Sequence, residues 1–205
     1  YKRQNLFYRV YGQFLNHNDF ARTDGSDTAD EWRSYRTGLR LDWHPSDRDQ
    51  FTLQGDYRRA NIDQTFTEPH LSPVVLNEEH NVERHNYGAN VLGRWTRTLS
   101  PESQFSLQLY YDTSKHFDTA SVERRDVFDL DWQHRFALGQ RNDLVWGLGY
   151  RYMPDHLSSA ENVIWNPERT HDQLFSAFLQ DEIKLVPEKF SLTLGSKFEH
   201  NDYTG

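Results

Sequence analysis

The sequence predicts an all-β protein, an antiparallel transmembrane β-barrel meander, and three observations support that fold class. Apolar and polar side chains alternate with a period of two, as in segments 51–57 and 105–111. The alternating segments are long, often reaching the roughly 9–11 residues that a tilted membrane-crossing strand needs. Aromatic side chains recur near both ends of the apolar face, where an interface between lipid and water favours them.

The composition agrees with a membrane barrel and excludes several other classes. The 205 residues are 26% charged and 36% hydrophobic, yet 15% are aromatic, and the mean hydropathy is −0.92. So many large aromatic side chains argue against a disordered chain. No apolar run approaches the roughly 20 residues of a membrane-spanning helix. In a barrel, half of every strand is polar, which accounts for the low mean hydropathy.

Charge and cysteine content narrow the possible functions. The net charge is −8, so a general nucleic-acid binder is not expected. The lack of cysteine excludes disulfides and thiolate metal sites. The sequence contains no nucleophile elbow, phosphate-binding glycine loop or zinc-protease motif. We therefore predict neither a resident cofactor nor an enzyme.

Nine alternating segments can be placed along the chain. Short turns rich in Pro, Gly, Asn, Asp and Ser alternate with longer loops, as in an antiparallel meander with its tight turns at one end. The predicted strands are about 4–15, 32–44, 50–60, 84–98, 104–114, 122–137, 143–153, 172–186 and 190–201. The predicted long loops are about 16–31, 61–83, 115–121 and 154–171.

The aromatic residues of the apolar face occur at paired heights. Trp43 lies beside a short turn with Tyr35 eight residues before it, and Trp95 and Tyr87 repeat this spacing. Eight residues of tilted strand cover a height of roughly 20 Å, close to the apolar band of about 25 Å between the aromatic girdles of an outer-membrane barrel. A general preference of large aromatics for strands is the simpler alternative.

The opposite face is rich in charged residues of both signs, which suit a wet interior or the surface of a polar plug. Asp181 is a misfit, because it falls on the apolar face between Leu179 and Ile183. Either a bulge or a position near the membrane interface would explain it. The predicted polar-face residues are Arg9, Gln13, Arg36, Arg40, Asp42, Gln54, Asp56, Arg58, Asn90, Arg94, Gln108, Asp112, Asp131, Arg135, Arg151, Glu182, Lys184, Lys197 and Glu199.

The number of strands indicates that this is part of a larger barrel. A closed single-chain bacterial barrel has an even number of strands, whereas nine alternating segments are found here. An isolated sheet of this kind would also expose two unpaired edges.

Residues 174–199 contain Phe178-Leu-Gln-Asp-Glu182, then a tight turn, then Leu192-Thr-Leu-Gly-Ser-Lys-Phe-Glu199. This segment resembles a recurring strand pair in the barrel of TonB-dependent outer-membrane receptors. Lys197 stands where the family more often has Arg. Segments 8–12 and 39–56 also resemble a branch of such receptors.

The resemblance implies a bacterial outer-membrane importer with a barrel of about 22 strands. An N-terminal plug domain would close the barrel, and an inner-membrane TonB complex would energise it. The ligands would be ferric siderophores, haem, cobalamin or similar chelated nutrients. Residues 1–205 would be a partial β-barrel without the plug domain, in contact with outer-membrane lipid. A passive porin or channel is the alternative, and an outer-membrane enzyme is a more distant one.

Four arginines of the polar face are candidates for contact with an anionic chelate, since guanidinium groups bind carboxylates in a bidentate manner. They are Arg36, Arg40, Arg58 and Arg94. Pairing with carboxylates of the plug, or with Asp42 and Asp56, is the structural alternative and the one that we favour.

Two groups of side chains suggest metal binding only weakly. His80 and His85 lie close to several glutamates, but a spacing of five in a loop fixes no geometry, so solvated loop histidines are the simpler interpretation. Segment 19–31 concentrates carboxylates that could bind calcium, yet its spacing differs from that of an EF-hand loop. We predict no resident metal.

Overall fold

The fold is one antiparallel sheet of nine strands in chain order, which confirms the predicted all-β meander. The computed structural model describes residues 5–21, 23, 30–69, 77–117, 121–159 and 163–202, with the side chains of 66–69 and 77–80 outside that description. The strands are β1 (Leu6–His17), β2 (Trp32–Trp43), β3 (Asp49–Pro69), β4 (Asn77–Ser100), β5 (Ser103–Phe117), β6 (Val122–Leu138), β7 (Asn142–Ser158), β8 (Arg169–Val186) and β9 (Phe190–Asn201). Within the described residues, no helix is long and apolar enough to span a membrane.

The hairpin of β3 and β4 is longer than the sequence predicted. Backbone pairing continues from the Ile62 and Arg84 pair to the Pro69 and Asn77 pair. The prediction of a loop over 61–83 was therefore wrong for most of its length, and only residues 70–76 lie outside the described backbone. The segment has polar residues on both faces, so it lacks the alternation that reveals a strand. Ladder hydrogen bonds need no apolar face, and two strands can pair without one.

The tight turns gather at one end of the sheet, between β2 and β3, β4 and β5, β6 and β7, and β8 and β9. Gly139 adopts a φ of +69° in the turn before β7, a left-handed conformation that costs glycine little. Register shifts occur between Thr98 and Ser100 and between Lys184 and Val186, close to two of these turns. The long connections, including the tip of the β3–β4 hairpin, lie at the other end.

The pairing register keeps the two faces in step across all strands. Trp43 opposes Phe51, which opposes Trp95 on the apolar face, whereas Arg40 opposes Gln54 on the polar face. Every residue that the sequence assigned to the polar face lies on that face in this register. Within the described residues no hydrophobic side chain is buried, because a single-layer sheet has no second layer to cover either face.

Aromatic contacts border the apolar face at both ends. Near the short turns, the ring centroids of Phe51 and Trp95 lie 5.8 Å apart with their planes 4° from parallel, and Trp95 meets Phe105 at 4.9 Å. Near the long connections, Tyr111 and Phe128 approach to 4.8 Å. The rings thus form contiguous rows rather than isolated residues, as expected for two girdles.

Asp181 lies at the level of the aromatic residues near the short turns. It opposes Leu144, which in turn opposes Phe136, and Asn142 Nδ2 donates a hydrogen bond of 2.5 Å to Asp181 Oδ2. The register shift of β8 comes after this position. A place near the border of the apolar face, and not a bulge, accounts for this carboxylate.

Candidate functional site

Arg40 is held on the polar face by a carboxylate of its own strand. Its Nε donates to Asp42 Oδ2 at 2.8 Å and its Nη2 to Asp42 Oδ1 at 3.0 Å. Thr52 Oγ1 donates to Asp42 Oδ1 at 2.7 Å, and Arg40 Nη1 donates to Gln54 at 3.2 Å. Residues two apart in a strand share a face, so this clamp follows directly from the alternation. The structure thus contains the Arg40–Asp42 pair that the sequence analysis named as the structural alternative.

Arg36 forms a looser ion pair on the same face. Its Nη2 lies 3.5 Å from Asp56 Oδ1, an oxygen that is shielded from solvent and accepts no hydrogen bond. The guanidinium carbons of Arg36 and Arg9 lie 5.8 Å and 5.9 Å from the centre of the Tyr11 ring. Tyr11 was not among the residues that the sequence singled out, although its parity places it on the polar face. Such a ring adds a cation–π contact to each arginine.

Arg58 and Arg94 differ from the other two candidates, because neither has an ion-pair partner among the described carboxylates. The Arg58 side chain lies over Gly88 of the next strand, where a Cβ atom would come within 2.8 Å of Arg58 Nε. Arg94 Nε donates to the neutral Gln108 at 2.9 Å. Both guanidinium groups thus keep uncompensated charge on the face formed by β3 and β4, and an anion could still bind there.

The polar face of β6 and β7 carries cross-strand ion pairs. Arg151 Nε lies 2.7 Å from Asp129 Oδ2, Arg125 Nη2 lies 2.8 Å from Asp155 Oδ2, and Arg135 contacts Asp143. The sequence analysis named Arg135 and Arg151 but missed the partners, although their parity could have identified them. These paired charges leave little free charge for a ligand on β6 and β7. Among the four candidate arginines, the two without a described ion pair, Arg58 and Arg94, lie on β3 and β4.

Three cavities adjoin the polar face without changing this assignment. One of about 780 Å³ lies at the short-turn end beside Phe7, His44 and Thr96. One of about 550 Å³ lies beside Arg135, Asp143 and Lys184, and one of about 380 Å³ lies between Gln108, Arg151 and Lys197. None of the three is lined by Arg58 or Arg94, so these cavities do not coincide with the charge of those two arginines. We give the charge more weight, because an open sheet forms concave spaces wherever its strands curve.

The histidine cluster receives no geometric support. β4 is a continuous strand through positions 80 and 85, and residues five apart in a strand belong to opposite faces. His85 Nδ1 lies 3.9 Å from Glu83 Oε1, while the side chain of His80 lies outside the described residues. Among the described residues, no group of three metal-ligating side chains comes together.

In the acidic segment 19–31 before β2, the Asp19 carboxylate accepts hydrogen bonds from the backbone. Asp19 Oδ1 accepts hydrogen bonds from the backbone N–H groups of Asp30 at 3.0 Å and Glu31 at 2.7 Å. Residues 24–29 lie outside the described part of the chain. The contacts of Asp19 fasten the two ends of this segment together, which is a structural use of a carboxylate.

The connection between β7 and β8 is fastened in a similar way by Glu168. The backbone N–H of Ser159 donates to Glu168 Oε1 at 3.2 Å, and the backbone N–H of Trp165 donates to Ser159 Oγ at 3.1 Å. Hydrogen bonds from the Ser159 side chain and backbone lower the pKa of the exposed Glu168 carboxyl. The carboxylate form therefore stabilises this loop.

Comparison with known families decides what kind of barrel this is. The family described as TonB dependent receptor-like, beta-barrel matches residues 2–205. The chain belongs to the TonB-dependent receptor β-barrel family. This match confirms the resemblance inferred from the strand motifs. Members of the family are outer-membrane receptors and transporters rather than enzymes.

Solved structures of two receptors and a transporter share the fold at low sequence identity. The siderophore receptor PirA of Pseudomonas aeruginosa is 15% identical, with a TM-score of 0.66 over 98% of this chain and 32% of its own. The ferric enterobactin receptor of Pseudomonas aeruginosa is also 15% identical, with a TM-score of 0.64 over 100% of this chain and 36% of its own. The copper transporter OprC is 11% identical, with a TM-score of 0.62 over 97% of this chain and 33% of its own.

The chain spans about a third of the length of these receptors. Identities this low show the shared fold alone, and the three receptors differ in what their names say they carry. No curated protein sequence matches the chain significantly. The family membership of the barrel is therefore shown, whereas the nutrient is a matter for proposal.

Proposed function

We propose that this chain forms part of the barrel wall of a bacterial outer-membrane TonB-dependent receptor that imports a small chelated nutrient. The observation that carries the proposal is the two-faced sheet, whose apolar face is bordered by aromatic rows and whose polar face is lined by charges. One side would contact outer-membrane lipid, and the other would line the lumen. The apolar face would not be stable in water, since no hydrophobic side chain of the described residues is buried.

In this proposal residues 1–205 are a partial barrel domain and the remaining strands close the cylinder against β1 and β9. A plug domain would fill the lumen, and the inner-membrane TonB complex would move the plug. The in-sheet ion pairs support a wall many of whose charges are already paired, so that a plug can move past it. The chain has no resident cofactor and no enzymatic role in this account.

The nutrient is an anionic chelate, such as a ferric siderophore, rather than a bare cation. Arg58 and Arg94 support this choice, because they are polar-face arginines that no described carboxylate neutralises. Haem and cobalamin are the other chelated nutrients whose binding is to be compared with that of an anionic ferric chelate.

The test is uptake by the full-length receptor in cells, with and without a functional TonB complex. Uptake of a ferric chelate that requires TonB is the expected result. Steady ion conductance through the purified protein, without TonB-dependent uptake, would instead identify a passive porin or channel. Hydrolase activity in detergent would identify an outer-membrane enzyme.

A screen of iron chelates, haem and cobalamin against the full-length receptor then assigns the nutrient.

A further inference from the structure

The apolar face carries positive charge just beyond its aromatic border at the long-loop end. Arg59 comes two residues after Tyr57 on β3, and Lys115 comes four residues after Tyr111 on β5. Residues two or four apart in a strand share a face, so these cations belong to the lipid-facing side and not to the lumen. At about 3.3 Å per residue they lie roughly 7–13 Å along the strand from the aromatic ring.

The register aligns these cations into one ladder. Five ionisable basic residues and Tyr87 occupy directly paired positions from β3 to β8. We call the five basic residues the basic row: Arg59, Lys115, Arg124, His156 and Arg169. Side chains directly opposite each other are about 5 Å apart at Cβ, so the row, with Tyr87 between Arg59 and Lys115, forms a band over six strands.

The basic row contains one pair of permanent like charges in direct opposition, because Lys115 opposes Arg124. His156 lies between Arg124 and Arg169 in the same row. Like charges directly opposite each other destabilise a sheet. Such an arrangement is stable when an anion lies between the cations.

The sheet itself supplies little of that negative charge. Asp126 lies 3.1 Å from Arg124 Nε and is the single described carboxylate paired with the row. Lys115 Nζ instead lies 4.5 Å from the centre of the Phe117 ring, and Arg59 Nε donates to the neutral Asn61 at 3.2 Å. Glu168, the residue before Arg169, also interacts electrostatically with His156 and Arg169. The four permanent cations of the row therefore have two described carboxylates near them.

The other carboxylates of this face lie farther toward the loops. Asp63 and Glu83 oppose each other on β3 and β4, each four residues beyond the basic row. They are therefore beyond reach of direct pairing with Arg59 in an extended strand. The charge of the row is exposed between an aromatic border on one side and an acidic border on the other.

The opposite end of the apolar face has no such row. In the described strands, Arg97 is its single Arg or Lys near the short turns, and its Nη1 lies 3.5 Å from Asp49 Oδ1. Between the two aromatic borders, the described strands from β2 to β8 carry no Asp, Glu, Lys or Arg on this face. The positive charge is thus confined to one of the two membrane interfaces.

We propose that the basic row binds the phosphate groups of anionic lipids in the leaflet at the long-loop end. Long basic side chains keep their stems on apolar surface and extend their charges to the headgroup region, and clustered Lys and Arg attract anionic headgroups. An acidic partner protein fits the position less well, because the row directly continues a face that contacts lipid chains. The inference rests on the proposed membrane orientation.

Lipid retention by the full-length receptor tests the proposal. The purified receptor is equilibrated with mixed micelles that contain equal amounts of phosphatidylglycerol and phosphatidylcholine, and native mass spectrometry counts the lipids that remain bound. We expect preferential retention of phosphatidylglycerol, a preference that high salt removes. In the combined variant Arg59→Gln, Lys115→Gln, Arg124→Gln and Arg169→Gln, the preference should fall at least about tenfold.

A matched variant removes four cations from the short-turn end, as Arg48→Gln, Arg141→Gln, Lys184→Gln and Lys189→Gln. It should keep the preference for phosphatidylglycerol. Equal retention by the basic-row variant and the wild type overturns the proposal, and so does equal loss in both variants. If inorganic phosphate alone competes as strongly as phosphatidylglycerol, the row is a free-anion site. That result would also overturn the proposal.

A charge-preserving variant guards against misfolding, with Lys in place of the three arginines and Arg in place of Lys115. It should retain phosphatidylglycerol like the wild type, and its failure to do so while folded counts against a charge-based site. Nutrient uptake separates the two proposals. A receptor that retains phosphatidylglycerol but imports nothing refutes the proposed function alone, whereas normal uptake without lipid preference refutes the lipid site alone.

Discussion

The ring of Tyr11 lies over Gly38, its direct partner across the β1–β2 pair. A Cβ atom on Gly38 would come within 2.5 Å of Tyr11 Cε1 and would also meet Asp56 Oδ1. Gly38 is buried by these neighbours. Because Gly38 has no side chain, the Tyr11 ring and the ion pair of Asp56 with Arg36 can lie close to the sheet.

Replacement of this glycine should therefore destabilise the barrel. Gly38→Ala is expected to lower the free energy of unfolding by about 1–3 kcal/mol, because overpacking forces the ring or the backbone to move. The measurement is urea unfolding of the full-length receptor in detergent, followed by tryptophan fluorescence. Gly93→Ala is the matched control, since a Cβ there meets nothing within 4 Å. Equal unfolding midpoints for the two variants would show that the close approach of Tyr11 to Gly38 does not affect the free energy of unfolding.

Arg58 and Arg40 should differ in their response to neutralisation. Arg58→Gln is expected to weaken binding of an anionic ferric chelate by about tenfold, as loss of one charge-assisted hydrogen bond does, while the unfolding midpoint stays unchanged. Arg40→Gln should leave chelate affinity nearly unchanged, because Asp42 already holds that guanidinium. Titration of both variants by fluorescence quenching checks the difference. The same loss of affinity in both variants would contradict the proposal that Arg58 contacts the chelate while Arg40 does not.

The ion pair of Arg151 with Asp129 should contribute modestly to stability. A double-mutant cycle with Arg151→Leu and Asp129→Leu is expected to give a coupling energy of about 0.2–1 kcal/mol, because the Arg151 side chain is 46% exposed. The same cycle with Asp131→Leu is the control, since Asp131 forms no ion pair with Arg151 among the described contacts. Coupling of several kcal/mol would mean that another part of the receptor buries the pair.

The β7–β8 connection should loosen in acid. The pKa of Glu168 is lowered in the folded chain, so its contribution is complete above the ordinary glutamate pKa of about 4.3 and is lost as the pH falls through the lowered value. The protection factor of the Ser159 amide in hydrogen exchange, which corrects for the slower intrinsic exchange in acid, should fall there. The amide of Leu157 donates to the backbone carbonyl of Glu168 at 2.8 Å and serves as the control, as its bond involves no titrating group. In Glu168→Gln the acid step of Ser159 should disappear, and its persistence would contradict this account.

The sequence alone determined the number of strands, their approximate bounds and the face of each residue. Parity within a strand is a local property, so Asp42 could be assigned to the same face as Arg40 without knowledge of any other strand. The aromatic borders followed in the same way from the spacing of Tyr35 and Trp43. The prediction failed where alternation is absent, in the outer part of the β3–β4 hairpin, because its pairing depends on backbone hydrogen bonds and not on an apolar face.

Only the tertiary structure decided which residues lie opposite each other. Register depends on hydrogen bonds between segments far apart in the chain. It places Arg36 opposite Arg58, with Asp56 diagonally within ion-pair distance of Arg36. It leaves Arg58 and Arg94 without a described carboxylate partner. It likewise brings Lys115 opposite Arg124, although no pattern within either strand predicts that meeting. The alternation of side chains therefore gives this protein its two faces, and the register between strands decides where charge on each face is neutralised and where it is left to bind.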